Sequence, residues 1–230
     1  MTIKHYELVG ADASRPFSPH CWKTRMALIH KGLDFESVPV GFTDVPHIEG
    51  GISKIVPVIR DGDTLVADSF EIAQYLEQAY PDRPSLFKGE GGAAMARLIE
   101  RWSQLTIHPY IGSAIMMDIF NMARDDDKAY FRENREGRFG KKLEEIPAGR
   151  DEGLGAFAKS LEPLRDMLNY QPFIGGATPL FPDYIVFGAF QFGRVVSPFK
   201  VLDDDDVIAD WFSRCLDLHD GAGRSVSAAA

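Results

Sequence analysis

Ile3 to Val9, with apolar Ile3, Tyr6, Leu8 and Val9 among polar positions, reads as a short strand. After a polar, proline-containing stretch from Gly10 to Pro16 the spacing changes. Trp22, Met26 and Ile29 recur at helical intervals, and Lys23, Arg25 and Lys31 supply the polar positions. Ser18 suits the N-cap of this helix, and Pro19 takes the first helical position, where a missing N–H costs nothing. Gly32 suits the residue after the helix, and Phe35 to Val40 reads as a second strand. Strand, helix, strand in this order implies a parallel pair with a right-handed crossover. Gly41 to Ser53 supports only a short or irregular helix. Val56 to Arg60 and Thr64 to Ala67, joined by Asp61-Gly62, predict a hairpin. Asp68-Ser69 then opens an amphipathic helix with Ile72, Ala73, Leu76 and Tyr80 on one face, stopped by Pro81.

No strand pattern of comparable strength follows. The chain divides into an α/β unit over residues 1–80, a Pro/Gly-rich linker over 81–92, an all-helical unit over 93–220 and a small, polar tail over 221–230 that is expected to be disordered. Within the helical unit, the expected segments are Ala93 to Ala123 (one helix or two, interrupted near Pro109), Lys128 to Glu145, Asp151 to Leu168 and Asp183 to Val195. The last is apolar and should form the buried centre. Asp203 to Asp206 has no His or distal acid at ligand spacing, so it reads as a complement to a helix dipole and no metal site is expected.

Composition narrows the classes. With 230 residues and 45% hydrophobic content the chain can bury a sizeable core, while a net charge of -9 and no Lys/Arg cluster argue against a nucleic-acid binder. Cys21 and Cys215 make neither a disulfide framework nor a ligand set. No apolar run is long enough for a membrane span, and no signal-peptide pattern opens the chain, so a soluble cytoplasmic protein is expected.

A βαβ unit followed by a ββα unit and then an all-helical domain resembles the glutathione transferase superfamily, with its thioredoxin-like N-terminal domain and its helical-bundle C-terminal domain. Ser18-Pro19-His20-Cys21 resembles the first-helix motif of the Ser/Cys-type transferases, Val56-Pro57 the Val-Pro step held in the cis form, and Asp68-Ser69 the acidic-Ser pair that grips the γ-glutamyl group. Trp22-Lys23-Thr24-Arg25 with Ala27-Leu28, then Lys31-Gly32-Leu33, Val40-Gly41-Phe42-Thr43 and Tyr80-Pro81-Asp82-Arg83-Pro84 are most similar to the etherase-like members, the bacterial β-etherases and their fungal relatives. One departure stands at the buried helix. The family carries a Ser/Thr-x-x-Asp capping box there, and this chain has Leu180-Phe181-Pro182-Asp183, so either Thr178 replaces the cap or Asp183 caps by itself.

The resemblance implies glutathione as co-substrate and Ser18 as catalytic donor. A free thiol ionises near pKa 8.5, so lowering it by about two units asks for roughly 2.7 kcal/mol, within reach of a hydroxyl and helix N–H groups acting together. It further implies glutathione contacts from His20, Lys54, Val56, Pro57, Asp68 and Ser69. A small aromatic electrophile would lie between the domains, among Phe17, Trp22, Ile107, His108, Tyr110, Ile111, Met116, Met117 and Phe120. A homodimer is expected on the same ground, and β-aryl ether cleavage is the most specific candidate reaction. Two alternatives stay open: a lyase or thiol-disulfide exchanger built on Cys21, and a non-catalytic carrier of aromatic ligands on a transferase fold.

Overall fold

The computed structural model describes residues 2–230. Strands β1 (Ile3–Leu8), β2 (Phe35–Val40), β3 (Val58–Asp61) and β4 (Thr64–Ala67) form one sheet in the order β2-β1-β3-β4. The β1/β2 pair is parallel, bridged by α1 (Pro19–His30), and β3 lies antiparallel to both β1 and β4, with His5 opposite Ile59 and Val58 opposite Ala67. A short 3-10 segment, Val45–Gly50, precedes β3, and α2 (Ser69–Ala79) closes the unit. This is the thioredoxin-like arrangement.

The second unit is all-helical: α3 (Glu90–Ala114), α4 (Met116–Met122), α5 (Asp125–Phe139), α6 (Arg150–Ser160), α7 (Glu162–Tyr170), α8 (Phe181–Val196) and α9 (Val207–Gly221). Every residue of α8 except Arg194 is buried, and α8 packs on both α1 and α3. It therefore forms the centre of the helical unit and the joint with the sheet unit. A Cβ on Gly188 would meet the Pro19 carbonyl oxygen at 2.3 Å, so the glycine lets the start of α1 dock on α8.

Several expectations are corrected. The α3/α4 break falls at Ile115, while Pro109 sits inside α3. Helix α3 starts at Glu90, inside the expected linker. The Lys128 to Glu145 segment ends as an α-helix at Phe139, where Gly140 adopts the left-handed conformation of a C-cap (φ 64°). Asp151 to Leu168 is two helices that meet at Leu161, with Pro163 in the first turn of the second. The tail, expected to be disordered, is hydrogen-bonded back to α8: Gln191 Nε2 donates to the Gly223 carbonyl at 2.9 Å, Arg194 Nη1 to that of Val226 at 2.8 Å, and the Ala229 N–H to that of Arg194 at 2.9 Å.

Asp183 resolves the missing cap. Its carboxylate accepts from the N–H groups of Ile174 (2.7 Å), Gly175 (2.8 Å) and Leu180 (3.0 Å) and from Trp211 Nε1 (3.0 Å). Thr178 does not substitute; its hydroxyl faces Lys88 Nζ.

Candidate active site at two helix starts

Two helix N-termini carry the polar groups. At α1, Ser18 is buried and its Oγ accepts from the Cys21 N–H at 3.4 Å. That bond uses a lone pair, so the hydroxyl proton remains available to an anion. At α2, Asp68 adopts φ 76° and its Oδ1 accepts from the N–H groups of Phe70 (2.8 Å) and Glu71 (3.3 Å). Oδ2 takes part in neither bond and is left for a cation. Because Asp68 occupies those two N–H groups, an incoming carboxylate would meet Ser69 and not the whole helix terminus, which narrows the sequence expectation. The Val56-Pro57 peptide is cis, and the Asp68 N–H donates to the Pro57 carbonyl at 3.2 Å, which joins the hairpin start to the α2 cap. Lys54 is exposed on the loop before it.

Cys21 has a different environment. Its thiol is wholly enclosed, lies 3.8 Å from the Tyr6 carbonyl, and is pushed up to about 12 by burial and by the Glu7 carboxylate. A thiol so placed is an inert apolar group. Cys215 is also buried, and burial raises its pKa too.

The residues expected to line an aromatic pocket separate into two sets. Phe17, Trp22, Ile107, Ile111 and Met116 are core. Trp22 donates from Nε1 to the Pro16 carbonyl at 3.0 Å and meets Phe187 edge-on, while Phe17 packs against Phe42 and Phe192. They line no accessible space, because helical spacing marks a core face and a pocket face alike. His20, His108, Tyr110, Met117 and Phe120 are half-buried. Of these, His20 on α1 and His108 on α3 stack with centroids 5.1 Å apart and planes at 13°, which places both beside Ser18's helix start. Tyr110 stacks on Phe157 and donates to the Arg150 carbonyl, and Phe120 lies under Arg132, so these two belong to the outer bundle.

The acidic run behaves as a cap. Asp206 accepts from the Ile208 N–H at 2.9 Å and pairs with Arg165 at 2.7 Å, and Lys200 pairs with Asp204 at 2.9 Å. A surface concavity of about 500 Å³ there is lined by none of the predicted site residues.

In the sequence Lys23 and Lys31 read as polar positions of the first helix, yet both are buried. Lys31 Nζ is satisfied by Glu77 at 2.8 Å and by the Tyr80 and Pro84 carbonyls. Lys23 faces Glu100 of α3 at 3.5 Å. Helix α1 is covered by the sheet on one side and by α8 on the other, so its buried arc is wider than the stripe of Trp22, Met26 and Ile29 suggests. Ile29 is only half-buried.

Comparison with known proteins gives the same assignment. The glutathione S-transferase N-terminal domain matches residues 13–84 and the corresponding C-terminal domain residues 94–218. Glutathione S-transferase Z1 of Arabidopsis thaliana is 39% identical over 69 residues, 28% of this chain and 31% of that protein, so the chain spans about a third of the length of such plant relatives. The crystal structure of glutathione transferase GSTFuA3 from Phanerochaete chrysosporium superposes with a TM-score of 0.77 at 26% identity, covering 100% of this chain and 99% of the other. That of CsGST83044 from Ceriporiopsis subvermispora, in complex with glutathione, gives 0.73 at 25% identity over 98% and 97%. With both domains matched in order across the sheet unit and the bundle, the chain belongs to the glutathione S-transferase family.

Proposed function

We propose that this protein binds glutathione along Val56, Pro57, Asp68 and Ser69, with Lys54 toward the glycyl carboxylate and His20 at the helix mouth. Ser18 holds the sulfur as a thiolate that attacks an electrophilic carbon of an aromatic compound. The observation that carries this reading is the Ser18 hydroxyl, buried at the N-cap of α1 with its lone pair on the helix and its proton free. An anion placed there meets the positive end of the helix dipole as well as the hydroxyl. Asp68 Oδ2 receives the glutamyl ammonium, and Ser69 the neighbouring carboxylate. Likeness to fungal transferases over the whole chain, one of them in complex with glutathione, supports the same reading.

The specific reaction proposed is glutathione-dependent cleavage of a β-aryl ether next to a ketone. The thiolate forms a C–S bond at the carbon beside the ketone, the C–O bond breaks, and the electron pair leaves on the aryloxide. Ser18 donates throughout and makes no covalent bond. The half-buried His20, His108 and Met117 are the side chains offered to the ring. The enclosed, high-pKa thiol of Cys21 weighs against a reaction through that residue. A cytoplasmic location belongs to this reading, since the cytosol is where glutathione keeps thiols reduced; among the described residues no helix is long and apolar enough to cross a membrane.

Phenol release from a ketone-bearing β-aryl ether, with and without glutathione, tests the reading. Ser18→Ala should lower the glutathione-dependent rate at least about tenfold, or about 1.4 kcal/mol. No release with glutathione still bound would leave a transferase of another substrate, and no millimolar glutathione affinity would favour the carrier. We also propose a homodimer. Met95, Leu98 and Leu105 expose apolar side chains along α3, and Ile52 and Ile55 do so on the loop before β3. Light scattering should give twice 25.6 kDa, and the monomer mass would contradict it.

A further inference from the structure

Lys23 sits five residues past Ser18 on α1, with 0% of its side chain exposed. Burying an ammonium is costly unless its donors are satisfied. Its Nζ has one counter-charge, Glu100 at 3.5 Å, and no well-formed hydrogen bond among the described residues. Glu100 is itself shared: its Oε2 accepts from Arg97 Nη1 at 3.0 Å, and Arg97 also lies 3.5 Å from Glu71. A row of alternating charge thus runs from α1 through α3 to α2, with Asp68 close enough to act on Lys23.

The other groups facing Lys23 add no negative charge. Burial and the Lys23 charge together hold His20 and His108 well below the usual histidine range, so the stacked rings are neutral. His108 Nδ1 faces both the carbonyl and the hydroxyl of Ser103, each at 3.1 Å. On the α8 side, Lys23 meets Gly188, a residue with no charge to offer. Lys23 Cγ and the Pro19 carbonyl oxygen border the place where a Cβ on Gly188 would stand, 3.6 Å and 2.3 Å from it. The Lys23 stem therefore lies along the first turn of α1, as side chains tilted toward a helix N-terminus do.

We propose that Lys23 is a positioning residue for the glutathione thiolate: its enclosed ammonium supplements the Ser18 hydroxyl and the α1 terminus in holding the sulfur as an anion, and Glu100 sets how much of that charge is felt. The inference rests on the reading that Ser18 receives the sulfur. Five residues of helix advance about 7.5 Å. That is the rise along the axis between the two positions, and over a separation of this order a charge in a water-excluded interface acts on the site, whereas one in solvent would be largely screened.

The test is a pH titration of the ultraviolet thiolate band of glutathione bound to the full chain. In the wild type the thiol pKa should lie well below the free value of about 8.5. Lys23→Met should raise it by about one unit, a tenfold loss of thiolate at a fixed pH below it. Lys23→Arg should restore the wild-type value, and Glu100→Gln, which removes the nearer counter-charge of Lys23, should lower it. Opposite signs from two neighbouring buried substitutions are not what a merely structural role produces. If Lys23→Met does not fold, Lys23→Gln takes its place, and an unmoved pKa there overturns the inference in the same way. A pKa unmoved by Lys23→Met, or shifted upward by Glu100→Gln, overturns the inference alone. A wild type with no thiolate band overturns the Ser18 reading and this inference with it.

Discussion

The two halves of the molecule treat their buried polar groups differently. In the helical half, Asp183 collects four N–H donors from three separate segments and leaves none of its neighbours wanting. In the sheet half and along its border, both ring nitrogens of His5, Arg15 Nε, Lys23 Nζ, Thr24 Oγ1 and, facing α1 from α3, His108 Nε2 are enclosed without hydrogen-bond partners among the described residues. One half satisfies its buried carboxylate fully, and the other carries unsatisfied groups, of which Lys23 on α1 and His108, stacked on His20, lie beside the α1 start. Polar groups that bind and polarise a ligand must keep donors and acceptors free, and the folded state bears that cost. The caps show the same division: Asp183 is saturated, whereas Ser18 keeps a proton and Asp68 keeps an oxygen.

The comparison breaks most sharply at Asp183. Asp183→Ala leaves buried N–H groups of Ile174, Gly175, Leu180 and Trp211 without an acceptor, and should cost about 3–5 kcal/mol in urea unfolding. A loss below about 1 kcal/mol would mean that the helical half is not held as described. Burial raises the Asp183 pKa while its four donors pull it down.

Acid should expose the opposite half. Burial lowers the His5 pKa to about 4, with Glu7 pulling up and Arg25 pushing down. A histidine depressed in the folded state binds its proton more readily when unfolded, so its penalty is absent above about pH 6.5. It grows as pH falls toward 4, reaching about 3 kcal/mol. His5→Phe should flatten that part of the stability profile; an unchanged slope would remove His5 from the account. The smallest effect is expected at Asp68. Asp68→Ala should weaken glutathione binding about tenfold, or about 1.4 kcal/mol, and lower stability by about 1 kcal/mol through the lost cap. Calorimetry would separate the two, and a stability loss with unchanged affinity would return Asp68 to a purely capping role.

Much of the framework of the candidate site was legible because its signals are local. Ser18-Pro19 and Asp68-Ser69 announce helix starts within a few residues, and the hairpin between β3 and β4 announces itself through Asp61-Gly62. The missed breaks at Gly140 and Pro163 were also local, a C-cap glycine and a first-turn proline passed over in helical patterns. Pro109 misled in the other direction. It withholds a hydrogen bond from the Leu105 carbonyl, but Leu105 is 70% exposed, on a helix face where solvent can serve the carbonyl and the helix continues.

By itself the sequence determined the order of elements, the division into a sheet unit and a helical unit, the apolar character of α8 and the two capped helix starts. All of these rest on periodicity and capping within one or two turns. Only the tertiary structure decided that Lys23 is enclosed, that Asp183 draws donors from three segments, that Phe17 and Trp22 are core and not pocket, and that the last residues fold back on Arg194. These outcomes depend on which surfaces cover α1 and α8, and such coverage joins residues far apart in the chain that no local pattern links.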